Sequence, residues 1–385
     1  MSLQEYLNAK PLYYDEIDYS RMPRVYETIK HSLKIHKIIH IIGTNGKGTT
    51  GRFLATALFA NGYRVGHYTS PHILEFNERV WLNGENASDE ELQNAHEELQ
   101  KLLSKEDTDT LSYFEYTTLL AMLVFSECEY VVMEAGLGGE HDATAVFPKT
   151  LTLVTPIAYD HEAFLGTDIK QIAKTKLNAI QKSAIMANQR FVEVYEVAKG
   201  LADKNIYRVD ELLNEDDKKK REVISKNLSL APYLVQNLSL SISALKFLGV
   251  SYKVDDFKNA KLFGRLSRVV KNVIVDVGHN ALAASSIAEA LAGEKFTLIY
   301  NSYRDKNYKE ILSILKPIIL DVEIIEVVNQ RVEEIEKIQN ALDELDIKRT
   351  IFKEIKDAQN YLVFGSFSVV EKFLKEQTSV AKYTI

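Results

Sequence analysis

The chain has 385 residues, 46% of them apolar, enough for two or three domains with sizeable cores. Its 47 Lys and Arg against 54 Asp and Glu leave a net charge of −7, which argues against general affinity for nucleic acid or an anionic membrane but leaves room for a local basic cleft. A single cysteine, Cys128, excludes an intramolecular disulfide framework and a cysteine-based zinc site, and no apolar run nears the roughly 18 residues of a membrane span.

The opening, MSLQEYLNAKPLYYDEIDYS, is acidic and lacks the cationic start and apolar core of a signal peptide. We therefore expect a cytoplasmic protein, a monomer with no nucleic-acid or membrane partner. The first strong strand is Lys37–Ile42, KIIHII, continuous and β-branched like a strand buried on both faces. A glycine-rich turn follows, then a helical pattern over Thr49–Asn61 with Gly62 as a C-cap, then a strand over Tyr63–Tyr68. That order predicts a β-loop-α-β unit of a parallel sheet. Further strands are expected at Tyr130–Met133, Thr150–Thr155 and Ala184–Ala187, and helices at Ser88–Ser104 and Phe114–Phe125.

Leu201–Lys226 holds the mixed-charge run DELLNEDDKKKRE and reads as a solvated loop or helix face. The helical pattern resumes at Tyr233–Leu248. A second alternating block follows, with strands at Val273–Val277, Phe296–Tyr300, Val322–Val328 and Tyr361–Phe364 and helices at Leu282–Leu291 and Tyr308–Leu315. A domain boundary is expected near Lys261–Gly264. The predicted fold class is α/β: a P-loop ATPase-like domain with a mostly parallel sheet over residues 1–262, and a smaller Rossmann-like α/β domain over residues 263–385.

The main chemical signal is GTNGKGTT, Gly43–Thr50, between a buried strand and a helix. Backbone N–H groups of such a loop and of the following helix N-terminus bind phosphate oxygens. Asn45, Gly46, Lys47, Gly48 and Thr49 are the candidate ATP-binding residues, with Lys47 as a point charge at the β/γ-phosphates and the Thr49 hydroxyl near Mg²⁺. The loop departs from the standard pattern, because the hydroxyl residue follows Gly48 and Ile41 stands where the first glycine belongs.

This variant loop resembles that of the Mur ligase superfamily, in particular its folylpolyglutamate synthase and dihydrofolate synthase branch. TSPHILEFNERVWLNG (Thr69–Gly84), SYFEYTT (Ser112–Thr118), MEAGLGGEHDAT (Met133–Thr144), DHEAFLG (Asp160–Gly166), FGRL, DVGHN (Asp276–Asn280), DKN (Asp305–Asn307) and GSF (Gly365–Phe367) follow that branch's motifs in order. The resemblance spans about residues 19 to 370.

The resemblance implies Mur-ligase-type domains, an ATP-binding one carrying the folate site and a C-terminal one with the glutamate and ATP cleft. It implies two Mg²⁺ ions, one held by Thr49, Ser70 and Glu134 beside the phosphates, the other by His161 and a carbamylated Lys176. A carboxylate directly after YVVM argues independently that Glu134 faces a metal or a cation. Lys176 alone reads as one more solvated lysine in a Lys-rich helix.

By the same resemblance Asn237 lies near the adenine, although Tyr233-Leu234 replace the family's His-Gln pair. Arg265 reaches an ATP phosphate from the second domain, Asp276 orients Arg265 or the ribose, and His279 and Asn280 lie near the reacting groups, His279 in catalytic support beside Lys47 and Lys176. Ser112, Phe114, Asp142, Ala143 and Thr144 correspond to the pterin and p-aminobenzoate site, with Glu140 and His141 replacing the usual Arg-Leu. Asp305 and Lys306 fall near the incoming amino acid.

The implied activity is an ATP-dependent amide ligase joining L-glutamate to dihydropteroate or a folate polyglutamate through an acyl phosphate. A Mur-type cell-wall ligase is the same-class alternative, disfavoured by the absence of an extra domain before Gly43. A non-catalytic ATP-binding switch is the other, disfavoured because a switch has no evident need for two metal sites.

Overall fold

The structure is a computed structural model that describes residues 1–11, 18–34 and 36–377, so residues 12–17 of the acidic opening lie outside it. Two compact units emerge. One holds the residues up to Leu230 together with Leu234–Lys261; the other joins Ala231–Tyr233 to the residues from Leu262 onward.

The first unit is built on an eight-stranded sheet of β1 (Lys37–Ile42), β2 (Val65–Tyr68), β3 (Val80–Leu82), β4 (Glu85–Asn86), β5 (Tyr130–Glu134), β6 (Leu151–Val154), β7 (Ser183–Met186) and β8 (Asn205–Arg208). Their spatial order is β4-β3-β2-β5-β1-β6-β7-β8, and every pair from β2 to β8 is parallel. KIIHII is the centre of this sheet, with all but Lys37 buried. Helices cover both faces, which is why this strand shows no polar alternation. The register sets Ile41 opposite Glu134 and Ile42 opposite Val154. Because β2, β5, β1 and β6 are adjacent and parallel, the loops after all four emerge along one edge. In sheets of this kind ligands bind at that edge.

Several elements differ from the sequence reading. The helix after the glycine-rich turn begins at Lys47, not Thr49, and the next strand begins at Val65, not Tyr63. Part of Thr69–Gly84 forms antiparallel β3, and β4 follows it. The charged segment Leu201–Lys226 is not merely a solvated face. It contains β8, the helix Val209–Leu212 and most of the helix Glu215–Leu228. As an edge strand with little burial, β8 carries no apolar pattern to announce it. Asp217 of this segment is buried, pairs with Lys246 and accepts from Tyr252 Oη at 2.8 Å.

The second unit has a six-stranded sheet of β9 (Ser267–Val270), β10 (Val273–Val275), β11 (Phe296–Tyr300), β12 (Ile319–Ile324), β13 (Arg349–Ile351) and β14 (Tyr361–Phe364), ordered β13-β12-β11-β14-β10-β9. Only β9 runs antiparallel to its neighbour. The strand expected at Val322–Val328 ends at Ile324 instead, and Val328 is fully exposed.

Candidate active site

The loop after β1 turns on two glycines at positive φ, Gly43 at 136° and Gly46 at 89°. A side chain at either would be strained by the backbone alone. A Cβ on Gly43 would also stand 2.0 Å from Thr155 Oγ1, and one on Gly46 2.5 Å from Asn237 Oδ1. Thr44 N donates to Pro156 O at 2.9 Å, and the Thr44 hydroxyl and Ala158 N clasp the same segment. The helix Lys47–Ala60 then starts with neither a side-chain cap nor an acidic residue in its first turn. An uncapped helix start has unsatisfied N–H groups and a positive dipole end, which together favour an anion.

Lys47 Nζ lies 3.2 Å from Thr44 O and 3.8 Å from Glu134 Oε1. Glu134, the last residue of β5, is buried. Its other oxygen accepts from the Thr69 hydroxyl and from Ser70 N at 3.3 Å. The Thr49 hydroxyl, also buried, lies 3.4 Å from Gly46 O and accepts from Asn237 Nδ2 at 3.1 Å. Asn237 is therefore held against the glycine-rich loop itself. These donors suit a hard divalent cation: a carboxylate and hydroxyls beside a helix start that favours an anion. Among the described residues no group of three or more His, Cys, Asp or Glu side chains is gathered as a metal cluster.

Lys176 is not solvated. It is 4% exposed, and its Nζ donates to Gly43 O at 3.0 Å, whereas Lys174 on the same helix is exposed. Burial, aided by the Lys47 charge, lowers its pKa from 10.5 to about 7, with Asp160 and Asp142 acting in the opposite sense. Asp160 is buried and its Oδ1 lies 3.9 Å from His161 Nε2. His161 takes a left-handed backbone (φ 53°) at the start of the short helix Glu162–Leu165, without capping it by its side chain. The helix Ile169–Leu177 is capped by Asp168, so neither Asp160 nor His161 serves it.

Phe114 and Asp142 meet around one stretch of backbone. A Cβ on Gly136 would lie 2.6 Å from the Phe114 ring, and the next residue, Leu137, donates its N–H to Asp142 Oδ2 at 2.8 Å. Asp142 is buried and its pKa is raised, burial outweighing the hydrogen bonds it accepts from Thr144, Leu137 and Gly136. Ser112 and Thr144 both make local side-chain contacts. Ser112 caps the helix Tyr113–Val124 in a reciprocal capping box with Glu115, and the fully buried Thr144 hydroxyl is 2.5 Å from Asp142 Oδ1. Ala143 is buried beside them. Sequence reasoning missed Thr69, Thr155 and Arg21; Arg21 pairs with Glu115 at 2.7 Å. Thr69 opens the TSPH segment and Thr155 ends an expected strand, whereas Arg21 carries no local signal.

In the second unit Asp276 is buried, its pKa raised chiefly by burial. Its oxygens accept from Gly278 N at 2.8 Å, Leu266 N at 2.8 Å and Tyr233 Oη at 3.2 Å. It thus holds the backbone next to Arg265, whose guanidinium stacks on the Phe367 ring at 5.2 Å. His279 Nδ1 lies 3.1 Å from Val277 O, and Asn280 caps the helix Ala281–Ala290. Asp305 lies 2.9 Å from the Lys306 ammonium and 3.1 Å from Arg331.

No family model matches the sequence. Individual proteins do. A folylpolyglutamate synthetase of Helicobacter pylori, known from its crystal structure, is 36% identical, with a TM-score of 0.79 and coverage of 98% of both chains. The dihydrofolate synthase/folylpolyglutamate synthase of Buchnera aphidicola subsp. Acyrthosiphon pisum is 31% identical over 300 residues, 73% of this chain and 72% of the relative. The chain belongs to the dihydrofolate synthase/folylpolyglutamate synthase family. A bifunctional member from Yersinia pestis, solved with AMPPNP and a Mn ion, is similar at 25% identity and a TM-score of 0.80, covering 97% of each chain. Both the N-terminal nucleotide-binding architecture and the C-terminal α/β unit are therefore those of this family.

Proposed function

We propose a division of labour for this ATP-dependent acid–amino-acid ligase of folate metabolism. It joins L-glutamate to a folate-type carboxylate: dihydropteroate, a folate already bearing glutamate, or both. The observation that carries this reading is the uncapped loop and helix start around Lys47, set beside Glu134 at the sheet edge.

The loop N–H groups and Lys47 bind and orient ATP phosphates, a role supported by the AMPPNP complex of the similar Yersinia pestis enzyme. Thr49, Ser70 and Glu134 would hold Mg²⁺, which screens the charge between the γ-phosphate and the attacking carboxylate. The carboxylate oxygen takes the γ-phosphoryl group and ADP leaves. The glutamate amine then attacks the acyl carbon, and the tetrahedral species expels phosphate; no enzyme nucleophile is required. Lys47 screens the transferring group, and His279 is assigned catalytic support. Asn237, Arg265 and Asp276 complete the proposed nucleotide contacts, and Asp305 and Lys306 are assigned to the amino acid. Phe114 and Asp142 receive the aromatic acid by stacking and by accepting its N–H groups, while Ser112, Ala143 and Thr144 fix their positions.

Lys176 is assigned a carbamate. The ammonium loses one proton, and the neutral amine then adds to carbon dioxide and loses a second, leaving an anion with two oxygens, suited to a second Mg²⁺ with His161. The lowered pKa supports this, because it supplies the neutral amine near pH 7. The relatives belong to the folate branch, which favours it over a cell-wall substrate. We place the protein in the cytoplasm as a monomer; among the described residues no helix is long and apolar enough to cross a membrane.

Dihydropteroate and tetrahydrofolate, offered separately with ATP and L-glutamate, test the assignment through ADP release and product mass. Lys47→Ala should lower turnover about a hundredfold or more with either acid, the scale of losing one transition-state charge contact, and leave the melting temperature within a few degrees. Ligase activity retained in that variant contradicts the phosphate-loop role.

A further inference from the structure

Behind Asp142 runs a buried line of polar side chains that the reaction scheme does not use. His40 lies near the middle of β1, fully buried, with Nε2 2.7 Å from Thr144 Oγ1. Thr144 Oγ1 is in turn 2.5 Å from Asp142 Oδ1, which also accepts Thr144 N at 2.9 Å. The other ring nitrogen, His40 Nδ1, is buried and has no hydrogen-bond partner among the described residues. A buried imidazole with an unsatisfied nitrogen carries a desolvation penalty that another isoleucine in KIIHII would avoid. Packing alone gives no reason for it.

The direction of the chain follows from proton counting. The Thr144 hydroxyl has one proton and two neighbours. An ionised carboxylate only accepts, so the proton goes to Asp142, and the hydroxyl oxygen must accept from His40 Nε2–H. The reverse order needs a protonated Asp142, although both its oxygens already accept backbone N–H groups. It would also turn His40 Nδ1 into a buried N–H without an acceptor, which is rarer than a bare acceptor. Burial keeps the His40 pKa well below the usual imidazole value, and the Lys149 charge adds to this. Lys149 Nζ itself donates to Ala145 O at 2.9 Å.

We propose that His40 is a positioning residue for recognition of the acid substrate. Its Nε2–H fixes the Thr144 hydroxyl, so that hydroxyl and the Thr144 N–H together hold Asp142 Oδ1. The carboxylate is thereby held in one orientation, ready to accept N–H groups of a heterocyclic substrate. This rests on the reading that Asp142 contacts the substrate, and the experiment separates the two. Steady-state kinetics on Asp142→Ala, His40→Leu and His40→Gln would give KM for the acid, ATP and glutamate.

His40→Leu should raise KM for the acid about tenfold, the size of one lost hydrogen bond, with the KM values for ATP and glutamate and the kcat nearly unchanged. His40→Gln, whose amide N–H can still donate, should recover most of that loss. If Asp142→Ala leaves the acid KM unchanged, the contact itself is wrong and the proposal falls with it. If Asp142→Ala raises that KM and His40→Leu does not, the contact stands and the His40 relay is overturned. Equal loss across all three substrates in both His40 variants shows a merely structural role and also overturns it. Should His40→Leu fail to fold, ¹⁵N NMR of the parent imidazole decides: Nε2–H supports the relay, and Nδ1–H or a doubly protonated ring refutes it.

Discussion

Each unit has a strand, a glycine-containing loop and a helix in immediate succession, and the two loops are finished in opposite ways. After β1, the helix Lys47–Ala60 begins at a left-handed glycine with no side-chain cap, and the loop is backed by a buried lysine whose ammonium donates to Gly43 O. After β10, the helix Ala281–Ala290 is capped by Asn280, which accepts from Ala283 N at 2.9 Å. There the buried charge is a carboxylate, Asp276, which accepts from Gly278 N of that loop and from Leu266 N just ahead of β9. In the first loop Thr44 N and Asn45 N go to Pro156 O, but the N–H groups at the helix start meet no side-chain cap. The second spends its own inside the protein. A strand-loop-helix pattern is therefore weak evidence for phosphate binding until the fate of its N–H groups is known.

The sharpest way to break this contrast is at the buried charge. Lys176→Ala should lose most ligase activity, with acetate or another short carboxylate restoring part of it, whereas Lys176→Arg should be inactive and not rescued. Near-parental activity of Lys176→Ala without added carboxylate would make the lysine a packing residue. The same side chain sets a pH slope. Its folded pKa, about 7, is below the 10.5 of the free group, so between these values the unfolded chain binds more protons. Stability then rises with pH across that window, provided the amine is unmodified, and Lys176→Met should flatten the rise in pH-dependent thermal unfolding.

A smaller effect is expected at the loop itself. Gly46→Ala forces a Cβ onto a backbone at φ 89° and into the Asn237 amide. It should weaken ATP binding about tenfold in isothermal titration, because strain of about 1–3 kcal/mol must be relieved by moving the loop. Smallest of all, Asn280→Ala removes a cap whose N–H is internal to the second unit. We expect about 1 kcal/mol lower stability in denaturant unfolding. An ATP affinity loss as large as that of Gly46→Ala would erase the distinction between the two loops.

KIIHII followed by GTNGKGTT was legible as a buried strand and a glycine-rich turn into a helix because both signals are local: continuous β-branched burial and glycine placement. Glu134 was legible because a carboxylate ending an apolar strand demands a partner, and Lys47 and Thr69 provide one. Lys176 was not separable from Lys170 and Lys174 by composition, since one turn of helix decides which lysine faces inward. Ser112 and Thr144 were legible as motif residues but not as the cap and the clasp they form.

The sequence by itself determined the α/β alternation, the loop that favours an anion and the order of motifs, because periodicity and glycine placement act over a few residues. Only the tertiary structure decided that β2, β5, β1 and β6 are neighbours, and so that Ser70, Glu134, Gly43 and Thr155 share an edge. Only it decided that β8 extends the sheet and that His40 on β1 meets Thr144 a hundred residues on, at a separation of 104. Strand order and buried polar contacts depend on pairings far apart in the chain, and local patterning contains no term for them.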